Sequence, residues 1–146
     1  MLSLAKSYSN AYLDMCWSWS INPLAAKDFL KKFILTVPNN KIFTFGGDDK
    51  IVENLIGHTF VARKGIAQAL AELVTGNWIT ITDALELVDN LMYKNAEKIF
   101  EKWNILSKAG ACAKYEWYRL LADRSLRDEL RSLHVLYAKE EPVCWL

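Results

Sequence analysis

Apolar residues recur at steps of three and four along most of this 146-residue chain, and Gly, Pro or Asn-Pro breaks the rhythm at short intervals. A chain so patterned can bury its apolar side chains only by stacking several short helices around a shared interior. The fold expected is therefore mainly α: a compact multi-helix domain with two or three short strands. One domain fits the length, and no repeat, linker or low-complexity tract divides it. A small helical subdomain over residues 1–57 is the alternative organisation.

The breakers place the elements. Leu4, Tyr8, Ala11, Tyr12 and Met15 predict a helix over residues 2–18. Asn22 as N-cap and Pro23 at the first helical position start a second, with Leu24, Phe29, Leu30, Phe33 and Ile34 as its apolar stripe. It should end before Pro38, because a residue preceding proline avoids the helical region. Residues 41–45 read as a short strand and Gly46-Gly47 as a turn. Asp48-Asp49 would cap a helix over residues 50–56 that Gly57 ends.

Residues 64–75 form the next helix, stopped at Gly76, and residues 78–81 a brief β-prone piece. Thr82 would cap a helix to about Leu91, and residues 95–108 give another, closed by Gly110. Residues 111–121 suit helix or strand, and Ser125 begins a last helix to about Lys139. The buried positions expected from these stripes are Leu30, Phe33, Leu70, Leu73, Trp78, Leu87, Ile99, Phe100, Trp103, Leu130 and Leu133.

Composition narrows the function classes. The net charge is +1, from 18 basic and 17 acidic residues, so any nucleic-acid surface must come from charges segregated to one side. No stretch is long and apolar enough to span a bilayer, and the N-terminus lacks the pattern of a secretion signal, so a cytoplasmic location is expected. Cys16, Cys112 and Cys144 are widely spaced, and with only His58 and His134 beside them neither a disulfide framework nor a zinc site is expected.

Catalytic motifs are missing. No Walker-type or dinucleotide-type glycine loop occurs, and no G-x-S-x-G. Gly46-Gly47-Asp48-Asp49 reads as turn plus cap. A histidine paired in space with a cysteine would activate its thiol, but loop and helix-surface roles are the simpler reading of His58 and His134. The chain is expected to be non-enzymatic and to need no cofactor or metal.

One constellation spans elements. Residues 66–121 run helix (IAQALAELVT), extended piece (WITIT), helix (DALELVDNL), short break (MYK), helix (NAEKIFEKWNILSKAG) and a hairpin candidate (ACAKYEWYRL). The order, with W-I-T-x-x-D-A and K-N-A-x-x-I-F-x-x-W, resembles small bacterial winged helix-turn-helix regulators, with a winged-helix-like core over residues 64–121. It departs from them at residues 89–93, where the turn is longer than usual.

The resemblance implies a second helix in the DNA major groove followed by a β wing. With Ala96, Ile99, Phe100, Trp103 and Leu106 facing inward, Lys94, Lys98 and Lys102 would meet phosphates and Asn95 an adenine edge. Arg124, Arg127 and Arg131 would extend that face, whereas Glu97 and Glu101 oppose it. The other reading is a protein-binding module, such as an inhibitor, an immunity protein or a phage-encoded antagonist, with Trp117 or Trp145 as interface anchors. Double-stranded DNA and a protein are thus the two partner classes in play.

Overall fold

The structure, a computed structural model, describes residues 1–46, 48, 50–102, 128, 131 and 132, with the backbone alone at Val52, Glu101 and Lys102. It is mainly helical. In chain order come α1 (Leu2–Ser7), β1 (Leu13–Asp14), α2 (Ser18–Ile21), α3 (Pro23–Thr36), β2 (Ile42–Phe43), α4 (Val52–Thr75), α5 (Ile81–Asp89) and α6 (Asn95–Lys102). A 3-10 turn over Asn39–Lys41 leads into β2, and a π turn over Asn90–Lys94 joins α5 to α6. Strands β1 and β2 pair in parallel, Leu13 beside Ile42 and Asp14 beside Phe43.

The helix expected over residues 2–18 stops at Ser7. Tyr8 is already extended, and the Met15 N–H donates to the Phe43 carbonyl at 2.9 Å. Tyr12 stacks on Phe43 across the strand pair. A distant pairing outweighs local helical periodicity in a stretch rich in Ser and Asn, which are weak helix formers. The Lys41 ammonium closes the end of α1 by donating to the Ala5 carbonyl at 2.9 Å.

Helix α3 keeps its expected bounds. The Asn22 side chain accepts from the Ala25 N–H at 3.1 Å, Pro23 occupies the first turn, and Val37 is extended ahead of Pro38. Its inward stripe is narrower than expected. Ala26 and Leu30 are buried and Phe33 half-buried, but Leu24 and Phe29 face solvent.

Helix α4 differs most from its expected form. The chain runs helically through Gly57, which sits in the interior of a 24-residue helix. Glycine at such a site costs about 1 kcal/mol relative to alanine but does not force a stop. Ile51 holds the N-cap position of α4, and the Asp48 side chain accepts from the Trp17 indole instead of capping; Asp49, the other expected cap, lies outside the described residues.

The far end of α4 falls where expected, at Thr75 with Gly76 as C-cap, and the left-handed residue that closes it is Asn77. Asn77 has a positive φ of 56°, its N–H bonds to the Val74 carbonyl, and the Trp78 N–H bonds to that of Leu73. This is the Schellman arrangement. It turns Trp78 outward, 69% exposed; Trp78 and Ile79 bend, Thr80 is extended, and Ile81 already begins α5, so no strand forms over residues 78–81. Thr80, not Thr82, caps α5. Its hydroxyl accepts from the Asp83 N–H at 3.1 Å while its own N–H donates to the Asp83 carboxylate at 3.0 Å.

The second half of α4 is the centre of the molecule, packed by α2, α3 and α5. Ile66, Ala67, Ala69, Leu70, Ala71 and Val74 lie in one core cluster with Met15, Trp19, Leu30, Ile42, Leu87, Val88 and Leu91. The alanines let neighbouring helices approach closely. At Gly65 the approach is closer still: a Cβ there would stand 2.1 Å from the Trp19 ring. The Trp19 indole N–H is anchored by the Thr44 carbonyl at 2.7 Å.

An ion cluster joins α3 to α4. Lys27 and Lys31 both bond the Glu72 carboxylate, and Asp28 lies 3.0 Å from Lys31. Burial works to raise the Glu72 pKa, but the hydrogen bonds from Lys27 and Lys31 prevail and hold it below the ordinary carboxylate range. The same bond to Glu72 is the main cause lifting the Lys31 pKa. A lowered acid stabilises the fold above its unfolded-state pKa and loses that contribution as pH falls. A raised base stabilises below its unfolded-state pKa and loses it as pH rises. Glu72→Gln should therefore cost about 1 kcal/mol at neutral pH, the partial exposure of the cluster keeping the figure small. Thermal melts should show the variant losing less stability than wild type between neutral pH and the lower carboxylate range. Parallel pH profiles would show that the cluster contributes nothing.

Candidate interaction surface

Helix α2 and the turn before it sort their side chains by face. Met15 and Trp19 point into the core, whereas Trp17 and Ile21 point out. Ala25 and Phe29, one turn apart on α3, stand opposite. The result is an open, mainly apolar cleft between α2 and α3, lined by Asp14, Cys16, Trp17, Ile21, Ala25 and Phe29.

Each wall is held. The Trp17 indole donates to Asp48 at 3.2 Å, and its ring meets His58 edge-on with centroids 6.0 Å apart. Phe29 stacks on Phe33 at 6.2 Å. Asp14 accepts from the Cys16 N–H at 3.0 Å, which fixes a carboxylate at the cleft mouth. Ile21 is 78% exposed and has no such support, so it is the most available apolar side chain in the cleft.

Cys16 is not an activated thiol. Its Sγ–H donates to the Gly46 carbonyl at 3.2 Å. Burial, then the negative charges of Asp14 and Asp48, push its pKa up, so the thiol stays protonated at neutral pH. Among the described residues, no cluster of three or more His, Cys, Asp and Glu could hold a metal ion. No helix among them is long and apolar enough to cross a membrane.

Of the residues marked out for DNA, Lys94, Asn95, Lys98 and Arg131 lie among the described residues, and Asn95 turns inward. Lys94 is half-exposed and bonds Asp89 at 2.7 Å, with its ammonium 5.9 Å from the Tyr93 ring centre. Asn95, expected on the outward face, is 2% exposed. Its amide N–H₂ donates to the carbonyls of Asn39 at 2.6 Å and Ile42 at 3.0 Å.

The cause of that inward turn is the π turn. The break expected near Lys94 does not form, and the Asn95 N–H reaches back five residues to the Asn90 carbonyl. The Leu91 carbonyl accepts the Thr44 hydroxyl at 2.7 Å instead. Helices α5 and α6 thus follow each other without a non-helical turn. Lys98 is exposed, and Arg131 is exposed beside Asp128 at 3.8 Å. The Lys102 side chain, Arg124, Arg127, Trp117 and Trp145 lie outside the described residues, as do Trp103, Leu130 and Leu133 of the expected core.

No family model, curated protein or solved structure matches this chain.

Sequence reasoning did not find the cleft, because residues 2–18 read as one helix and α2 has only four residues. The available signal was the pair Trp17 and Trp19 just before Asn22-Pro23. Two large aromatics two positions apart cannot share a helix face, so one of them had to point outward.

Proposed function

We propose that this chain works by binding another protein, with the cleft between α2 and α3 as the receiving surface. The observation that carries the reading is the exposure of Trp17, Ile21 and Phe29 around one open cleft with Asp14 at its mouth. Exposed aromatic and aliphatic side chains grouped in a concavity favour an apolar anchor from a partner. The carboxylates of Asp14 and of Asp48, beside Trp17, favour a lysine or arginine next to that anchor. The occupant is thus a partner segment with an apolar side chain adjacent to a cation.

Selection from a random peptide library on the immobilised protein tests this. Enriched peptides should pair an aromatic or aliphatic residue with Lys or Arg. Ile21→Asp and Phe29→Asp should each weaken them about tenfold or more, the loss of one buried apolar contact. Both side chains are exposed, so circular dichroism should be unchanged. Peptides without a cation, or binding that survives both substitutions, would overturn the reading. Salt-dependent binding to random duplex DNA at low salt would favour the regulator reading instead, with Lys98 and Arg131 as its exposed cations.

A further inference from the structure

The first half of α4 has two distinct faces. Leu55, His58, Thr59 and Ala62 turn toward the body of the protein: Thr59 and Ala62 are buried, and His58 meets Trp17. The opposite face carries Glu53, Ile56, Gly57, Phe60, Val61 and Lys64, all exposed. Ile56 is 73% and Phe60 69% exposed, so the middle of this stripe is apolar and, among the described residues, uncovered, with an acid at one end and a base at the other.

The order of these residues has a two-fold pattern. Reversing the stripe about its midpoint, between His58 and Thr59, exchanges Glu53 with Lys64, Ile56 with Val61, and Gly57 with Phe60. Two copies of α4 laid antiparallel in that register would set each Glu53 against the other's Lys64. Each Ile56 would meet a Val61, and each Phe60 a Gly57. A two-fold interface requires this reciprocity, in which one residue contacts a second and the second contacts the first. Gly57 suits the arrangement because nothing lies within 4 Å of where its Cβ would be, which leaves room for an incoming aromatic ring.

We infer that this chain self-associates as an antiparallel pair through the Glu53–Lys64 face of α4. This surface is separate from the cleft residues Ile21 and Phe29 and does not depend on their role. The stripe is only about 16 Å long at 1.5 Å per residue, so the dimer is a weak one that dissociates on dilution.

Sedimentation across a concentration series, at low and moderate salt, tests the inference. Wild type should shift reversibly from monomer to dimer as concentration rises. Phe60→Asp should weaken the dimer at least about tenfold. Glu53→Lys and Lys64→Glu should each weaken it, because like charges then face each other, and the double variant should return to within about twofold of wild type. Gly57→Leu should abolish the dimer by filling the place of Phe60 while melting no lower than wild type, since the monomer has open space there. A wild type that stays monomeric throughout overturns the inference. So does a double charge swap that fails to restore association, or a Gly57→Leu protein that still dimerises. Ile21→Asp should leave the dimer intact, so failure of the cleft reading and failure of the dimer are distinguishable.

Discussion

Gly65→Ala is expected to destabilise the protein by about 3 kcal/mol, although alanine normally improves a helix interior by up to about 1 kcal/mol. The added methyl would stand 2.1 Å from one ring atom of Trp19 and 2.7 Å from another. The indole cannot step aside cheaply. It is 1% exposed and its N–H is held by the Thr44 carbonyl. Urea denaturation of four proteins reads the effect: wild type, Gly65→Ala, Trp19→Leu and the double variant. Trp19→Leu alone should cost about 3 kcal/mol from lost packing and an unpaired Thr44 carbonyl. In that background the alanine should cost little or add stability, because the ring it struck is gone. Strict additivity of the two changes would show that Gly65 and Trp19 do not constrain each other.

Asn95→Ala is expected to cost about 3 kcal/mol as well, through hydrogen bonds rather than volume. Removing the amide leaves the buried Ile42 carbonyl without its side-chain donor, at about 1–3 kcal/mol, and the Asn39 carbonyl, whose bond is part-buried, loses less because water can replace it. The Asn95 Oδ1 is buried with no hydrogen-bond partner among the described residues, so it offsets little of that loss. Thermal or urea melts measure the change directly. The outcome also separates two roles. A residue that reads a base edge can be truncated with little effect on stability, whereas one that fastens β2 to the π turn cannot. Unchanged stability with altered preference among DNA sequences would return Asn95 to a recognition role.

The parts legible in the sequence are those set by local chemistry. Asn22, Pro23 and Pro38 bound α3 as their side chains and backbone preferences require. Leu30, Leu70, Leu73 and Leu87 are buried as the apolar spacing predicted. The parts that were not legible depend on distant partners. Nothing near Leu13 announces that it will pair with Ile42. Gly57 reads as a stop, yet the helix formers on either side carry the chain through it. Trp78 reads as core by hydrophobicity, but the left-handed turn at Asn77 directs it to solvent. Phe33, Ile99 and Phe100 are half-buried rather than enclosed. The candidate surfaces were hidden for the same reason: Ile21, Phe29, Ile56 and Phe60 look like core residues by hydrophobicity, and only their place among the described residues shows them exposed.

The π turn over Asn90–Lys94 changes how the last described stretch must be drawn. It inserts one residue into a run of helix, and one residue is about 100° of rotation. A single helical wheel plotted through residues 81–102 therefore assigns every side chain after the turn to the wrong compass bearing. Two wheels are needed, one ending at Asp89 and one beginning at Asn95, offset by that angle. The offset works like a half-twist in a ribbon: the stripe that α5 presses into the core and the stripe that α6 turns inward need not lie on one line. Selection can thus act on either stripe separately, and an insertion or deletion within these five residues would re-aim all of α6 without altering any residue in it.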